Sequence, residues 1–207
     1  MGYFPFFVNI ENKKCIVIGG GKVAFRKIQK LFPFGTDITV IAPFICKEIK
    51  AINGLKIIQR KFIDSDLDGM FFAVTATDDP RLNQHIFELC KEKNILVNTV
   101  DDKEKCSFIF PALVTENDIT IGISTSGKSP VYAKKLKEKI SETVNFSSAQ
   151  KVEILGSCRD KVKERIHSEE LRKQIFEKIY DLLFESKSFD QKDIEKIIKD
   201  MKNKDEN

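Results

Sequence analysis

Gly19, Gly21 and Ala24 stand at G-x-G-x-x-A spacing within Cys15-Ile16-Val17-Ile18-Gly19-Gly20-Gly21-Lys22-Val23-Ala24. An apolar run precedes the glycines and a helix-like pattern follows them. In that setting Gly19 permits a tight turn, Gly21 lets the backbone approach a pyrophosphate, and Ala24 lets helix and strand pack closely. The helix start then offers unpaired N–H groups and a positive dipole end to phosphates. The chemistry implied is dinucleotide binding; the bland alternative is a glycine-rich strand-to-helix turn without a ligand. A second residue, Asp101, follows the strand-like stretch Leu96–Val100. A carboxylate just past a parallel strand can take a proton as hydride leaves, orient an N–H, or simply serve a loop or helix cap. A third pattern, Gly122-Ile123-Ser124-Thr125-Ser126-Gly127-Lys128-Ser129, satisfies the G-x-x-x-x-G-K-S phosphate loop of NTPases. Here Gly122 lies inside a strand-like run, Pro130 removes an N–H, and only helical sequence follows. No later strand is left to supply a Mg²⁺-binding aspartate, so the match is read as coincidence. An anion at that helix start remains compatible with the residues.

These residues need elements to hold them. Cys15–Ile18, Ile38–Ile41, Lys56–Arg60, Phe71–Ala76 and Leu96–Val100 read as strands. Between them run helical patterns: Lys22–Leu31 with Val23, Ala24, Ile28 and Leu31 on one face, a helix striped by Ile45, Ile49 and Ile52, and Pro80–Glu92 capped by Asp78-Asp79-Pro80. Such alternation implies a Rossmann-like parallel sheet covered by helices, an α/β fold. Ser107–Val114 and Ile119–Ser124 read as two further strands, followed by a helix with Ser129 as N-cap and Pro130 at its first position. From about residue 150 only charged helical periodicity remains, including the stripes Leu171, Ile175, Ile179, Leu182, Leu183 and Ile194, Ile197, Ile198, Met201. The expected division is residues 1–105, 106–147 and 148–207.

Composition narrows the class. The chain of 207 residues is 42% hydrophobic and 32% charged, with a net charge of +4. That is a globular composition, without the long apolar run of a membrane span. The start lacks the basic region and cleavage site of a signal peptide. Five scattered cysteines without C-x-x-C fit a reduced, cytoplasmic protein. No Lys/Arg block interleaved with aromatics calls for nucleic acid. His85 and His167 are the only histidines, and no cluster has metal-ligand spacing, so no metal site is expected. The basic residues Arg159, Lys161, Lys163, Arg165, Arg172 and Lys173 read as a solvated helix face, or as a surface steering an acidic ligand.

The opening Tyr3-Phe4-Pro5-Phe6-Phe7-Val8, followed by Cys15 through Lys27, closely resembles the siroheme-synthase dehydrogenase family. These are precorrin-2 dehydrogenases, some of them also sirohydrochlorin ferrochelatases. The similarity continues in Ala76-Thr77-Asp78-Asp79 with Asn83, in Asn98-Thr99-Val100-Asp101, in Ser107-Phe108-Ile109-Phe110-Pro111-Ala112, and in Ser124-Thr125-Ser126-Gly127-Lys128-Ser129-Pro130. It spans residues 3–145, and the helical remainder is similar in character. The resemblance implies NAD-dependent oxidation of precorrin-2 to sirohydrochlorin, and in some members iron insertion. It also implies a homodimer with an N-terminal Rossmann domain, a central α+β dimerisation region and a C-terminal helical domain. Asp101 would be the catalytic residue, serving both activities in bifunctional members. Gly19, Gly20, Gly21, Lys22, Val23, Ala24, Pro43 and Phe44 would contact the cofactor, and Thr75, Ala76 and Thr77 would line its nicotinamide side. Ser107, Phe108, Ser124, Thr125, Ser126, Lys128 and Ser129 would lie near the tetrapyrrole.

One departure concerns the ribose. The acid expected about 20 residues after the glycines is missing from Val40-Ile41-Ala42-Pro43-Phe44, and Asp37 stands at the wrong end of that strand. No Arg follows to greet a 2′-phosphate. The family commonly lacks this acid, so NAD is expected, although these residues do not separate NAD from NADP. The rival class is a non-catalytic NAD-sensing module of the kind found in potassium-transport regulators. The segments Ser107–Ala112 and Ser124–Pro130, foreign to that pattern, argue against it.

Overall fold

The run Lys14–Ile18 (β1) is buried on both faces from Cys15 onward, and the reason is its place at the centre of a sheet. Beside it lie Asp37–Ile41 (β2) and Phe72–Thr75 (β4), and outside these Lys56–Ile58 (β3) and Leu96–Thr99 (β5). All pairings are parallel, in the order β3-β2-β1-β4-β5. The computed structural model describes residues 3–185 and 191–205. Successive side chains along each strand go to opposite faces. Cys15 and Val17 join Ala24 and Ile28 of one helix, Lys22–Leu31 (α1), while Ile16 and Ile18 join Ile86 and Cys90 of another, Pro80–Glu92 (α3). From β1 the chain runs outward through β2 and β3, then returns to β4 on the other side of β1. The switch point therefore falls between β1 and β4, and ligands of such sheets bind there, outside the carboxyl ends of the strands.

The third helix of this layer, Lys47–Lys50 (α2), has only four residues. The stripe Ile45, Ile49 and Ile52 predicts a longer one. Ile45 is buried from extended chain instead, because Cys46 donates its N–H to the Gly20 carbonyl at 2.8 Å and so braces the glycine turn. The strand expected over Ser107–Val114 also begins late, at Ala112. Ser107 through Phe110 is instead folded back on the sheet: the Ser107 N–H donates to the Val97 carbonyl at 2.8 Å, and Phe108 stacks edge-on against Phe72, with centroids 5.8 Å apart. Its aromatic residues are half-buried against the sheet below them rather than held by a strand ladder.

The chain divides into two units, Met1–Phe110 and Pro111–Asn207. In the second, Ala112–Glu116 (β6) and Ile119–Ile123 (β7) form an antiparallel hairpin. Helix Pro130–Thr143 (α4) buries Ala133 against Val114 and Ile123. Helices Phe146–Arg165 (α5), Glu169–Phe184 (α6) and Gln191–Asp205 (α7) enclose a separate core that includes Val162, Ile175, Ile179 and Ile198. Among the described residues no helix is long and apolar enough to cross a membrane.

Candidate cofactor and active site

The glycine turn is built from three different constraints. Gly19 has φ +125°, and a Cβ there would collide with the Ala76 carbonyl. Gly20 has an ordinary φ, yet a Cβ would strike the Phe44 carbonyl and Ile45. At Gly21, by contrast, a Cβ would meet nothing within 4 Å. The turn is thus clamped by Ala76 on one side and Phe44 on the other, and opens outward at its third residue. There Gly21 caps α1, whose first turn carries no acidic side chain. The first N–H groups of that turn have no partners within the helix. Ala24 is fully buried, which lets α1 lie close on β1. A cradle open at Gly21 and ringed by amides suits a pyrophosphate, so the residues present fit a dinucleotide.

At the end of β2, Pro43 is exposed, and the Phe44 ring, 72% exposed, offers a flat apolar surface. The Gln59 amide donates to the Pro43 carbonyl at 3.2 Å and holds that connection. Arg60, nearby in sequence, is not available for a phosphate: its two terminal nitrogens donate to both Asp66 oxygens, at 2.7 and 2.6 Å. At the end of β4, Thr75 is wholly buried on the α3 side, and its hydroxyl has no partner. Of the three residues expected beside a nicotinamide, Ala76 and Thr77 are therefore the ones with surface to offer. The Thr77 hydroxyl donates to Asn83 Oδ1 at 2.7 Å, and Asn83 returns a bond to the Thr77 carbonyl. Asp79 caps α3 through the N–H groups of Arg81 and Leu82.

Asp101 lies two residues past β5 with its backbone in the left-handed region, φ +60°. Val100 before it donates its N–H to the Thr75 carbonyl at 3.0 Å, which carries the pairing one residue beyond the strands. The Asp101 carboxylate is exposed. Its neighbour Asp102 does a structural job: it caps a short turn through the Glu104 N–H and pairs with Lys105 at 2.8 Å, which holds its carboxyl below the usual range. Ser107 and Phe108 are engaged in the fold, since the Ser107 hydroxyl accepts from the Val97 N–H at 2.7 Å. Three residues without a site role in the sequence reading complete this corner. Lys27 of α1 donates to Asn98 Oδ1 of β5 at 3.2 Å, and its ammonium lies 4.2 Å from the centroid of the Phe110 ring. The signal was present: position 27 falls inside the buried stripe Ala24, Ile28, Leu31.

Ser124, Thr125, Ser126, Lys128 and Ser129 belong to the second unit. They form the β7–α4 loop, with Ser126 and Gly127 both left-handed. Thr125 and Ser129 hold this loop, the Thr125 hydroxyl accepting from the Ser129 N–H, while Ser129 caps α4 through the Tyr132 N–H. Lys128 is exposed. Gly122 stands within β7, whose strand neighbour is antiparallel, so the G-x-x-x-x-G-K-S pattern here lacks the parallel sheet of a phosphate loop. His85 is exposed and pairs with Asp64 at 2.8 Å, and His167 lies between α5 and α6 rather than within a helix. Among the described residues no group of His, Cys, Asp and Glu is arranged to hold a metal. Part of the basic helical surface is engaged locally: Arg165 pairs with Glu195 at 2.8 Å, and Arg172 donates to the carbonyls of Ile166 and His167.

A family model for NAD(P)-binding domains matches residues 6–112, the unit that carries this cradle. A second model, for the central region of sirohaem biosynthesis proteins, matches residues 117–143. The chain belongs to the NAD(P)-binding family. Curated relatives agree. The siroheme synthase of Blochmanniella pennsylvanica is 39% identical over 183 residues, covering 87% of this chain and 38% of the relative. That of Vesicomyosocius okutanii is 36% identical over 195 residues, covering 93% of this chain and 42% of the relative. The chain thus spans about two fifths of the length of the curated relatives it matches. Among solved structures, SirC, a precorrin-2 dehydrogenase, superposes with a TM-score of 0.73 at 25% identity, covering 97% of this chain and 100% of that one.

Proposed function

We propose that this chain is an NAD-dependent dehydrogenase that oxidises precorrin-2 to sirohydrochlorin. The observation that carries the reading is the placement of two features around β4. The open glycine cradle lies after β1 and the Asp101 carboxylate after β5, with the Ala76-Thr77 connection between them in strand order. The names of the relatives supply the substrate: siroheme synthases in sequence and a precorrin-2 dehydrogenase in structure.

In this reading the N–H groups opening α1 hold the pyrophosphate, Pro43 and Phe44 flank the adenosine, and Ala76 and Thr77 border the nicotinamide. Bound there, the cofactor supplies the hydride acceptor. Oxidation of precorrin-2 removes a hydride and a proton, and Asp101 takes the proton. Its exposed carboxylate is free of the capping and pairing that occupy Asp102. On the second unit, Lys128 and the start of α4 suit carboxylates of an acidic tetrapyrrole. That unit holds two separate cores, one under the hairpin and one among α5–α7. We assign dimerisation to the first of these, and the cytoplasm as the compartment, where the five free thiols would stay reduced.

The test is an anaerobic assay of the purified protein with precorrin-2 and NAD, following NADH and sirohydrochlorin absorbance together. Coupled appearance of both is expected. NAD binding without turnover would return the chain to the sensing-module class.

A further inference from the structure

Lys27 is a cation where the helix should be apolar. It lies on the face of α1 that packs on the sheet, and its ammonium has three neighbours of different kinds. Asn98 Oδ1 accepts from it at 3.2 Å, the Phe110 ring lies beneath it at 4.2 Å, and the Asp101 charge favours its protonated form. Asn98 is the hinge of this arrangement. It is buried in β5, and its amide nitrogen donates to the Phe108 carbonyl at 2.9 Å and to Cys106 Sγ at 3.4 Å. One side chain thus joins α1 to Cys106 and Phe108, within the segment that returns from Asp101 to Phe110. Cys106 closes the same corner, its thiol within hydrogen-bond reach of the Thr99 and Asp102 carbonyls on either side of Asp101, with one proton to give to either.

We propose that Lys27 is a positioning residue: through Asn98 and the Phe110 ring, its ammonium holds the segment after β5, and with it Asp101, in the working geometry. This rests on the dehydrogenase reading for its kinetic consequence, but not for its structural one. Removing the ammonium leaves a buried Asn98 oxygen without its donor and the Phe110 ring without its cation, so the returning segment loosens. Deprotonation removes the cation too. Burial brings Lys27 down to about 8, aided by the like charges of Lys30 and Arg26 on α1 and opposed by Cys106 and Asp101 across from it. Turnover should therefore fall as pH rises through about 8.

The experiment compares the full chain with Lys27→Met and Lys27→Arg. The readout independent of activity is hydrogen exchange of the Ser107 amide, which pairs with the Val97 carbonyl. Exchange at least tenfold faster in Lys27→Met, with wild-type protection in Lys27→Arg, is expected; unchanged exchange in Lys27→Met overturns the proposal. In kinetics, Lys27→Met should lose at least tenfold in kcat with the KM for NAD within twofold. A raised KM for NAD with kcat kept would make Lys27 part of the cofactor site and would overturn positioning. Lys27→Arg keeps its charge at all accessible pH, so the alkaline fall near 8 should vanish; its persistence also overturns the proposal, and this arm stands even if Lys27→Met does not fold. Failure of the wild type to turn over precorrin-2 would sink the functional reading alone, because the exchange measurement still decides whether Lys27 orders the segment.

Discussion

Left-handed backbone at a residue with a side chain is best tolerated by Asn and Asp, so the two obvious replacements of Asp101 should part company. Asp101→Asn keeps a residue suited to φ +60° and removes only the charge. Asp101→Ala removes the charge and adds a conformational cost of about 1 kcal/mol. Both should lose turnover by about 10²–10⁴-fold, the usual worth of a general base, with NAD affinity by calorimetry kept. Only Asp101→Ala should lower the melting temperature, and substantial turnover in Asp101→Asn would remove the carboxylate from the mechanism. Lys27 makes a separate prediction about stability. An ordinary lysine titrates near 10.5, whereas in the folded chain Lys27 titrates at about 8 because burial disfavours its charge. Between these values the unfolded chain binds the extra proton, so stability rises with pH across that window. Thermal melts from pH 7 to pH 10 should show this gain in the wild type relative to Lys27→Met; parallel curves would contradict it. The two residues were not equally legible. Resemblance pointed to Asp101, but nothing in spacing foretold its left-handed backbone. Lys27 was visible as a misplaced cation in an apolar stripe, yet a lysine on a helix usually snorkels to water, and only the fold brings Asn98 and Phe110 beneath it.

The glycine turn is the element on which the site depends, and its three glycines should respond differently. A methyl at position 20 meets the Phe44 carbonyl, part of the backbone, which cannot swing aside. Gly20→Ala should therefore cost about 1–3 kcal/mol, as overpacking does, and should weaken NAD binding as well. At Gly21 there is room, so Gly21→Ala should melt like the wild type, while Gly21→Asp should fold and still lose the cofactor by setting a charge against the pyrophosphate. Thermal melts paired with calorimetry separate these outcomes, and equal melting of Gly20→Ala and Gly21→Ala would disprove the clamp. Gly19 and Ala24 were readable from the motif because the left-handed φ of Gly19 and the close packing of Ala24 are set locally by strand, turn and helix, although the Ala76 carbonyl that crowds Gly19 was not foreseen. The need for glycine at position 20 was not, because it comes from chain more than twenty residues away. Short elements failed for the same reason. Periodicity in Ile45, Ile49 and Ile52 predicted a helix, but the bond from Cys46 to the Gly20 carbonyl holds the first part of that stretch extended. Aromatic residues at 108 and 110 imitated a strand, because the core takes them whether or not a ladder forms.

At the scale of the molecule, the second unit carries the open question of assembly. An isolated hairpin is marginal in water, and β6–β7 has one helix over it. That layer buries Val114, Ile123 and Ala133, with Ile121, Leu136 and Ile140 only half covered. At the start of α4, Val131 is 68% and Tyr132 62% exposed. A layer this thin, with large apolar side chains left in water, is what a symmetric partner would complete. A second copy of this chain is the occupant that the family resemblance implies. A stable interface of this kind covers about 800 Å² on each partner, a patch that one aromatic such as Tyr132 can anchor from its centre. Sedimentation equilibrium should accordingly find a dimer at micromolar concentration, and Tyr132→Glu, which puts a charge into the desolvated patch, should shift it to monomer without unfolding α5–α7. Those helices keep their own core of Val162, Ile175 and Ile179, so helical circular dichroism would register any loss there. A wild-type monomer at that concentration would leave the hairpin layer to stand alone, and dimerisation would have to be withdrawn from this unit.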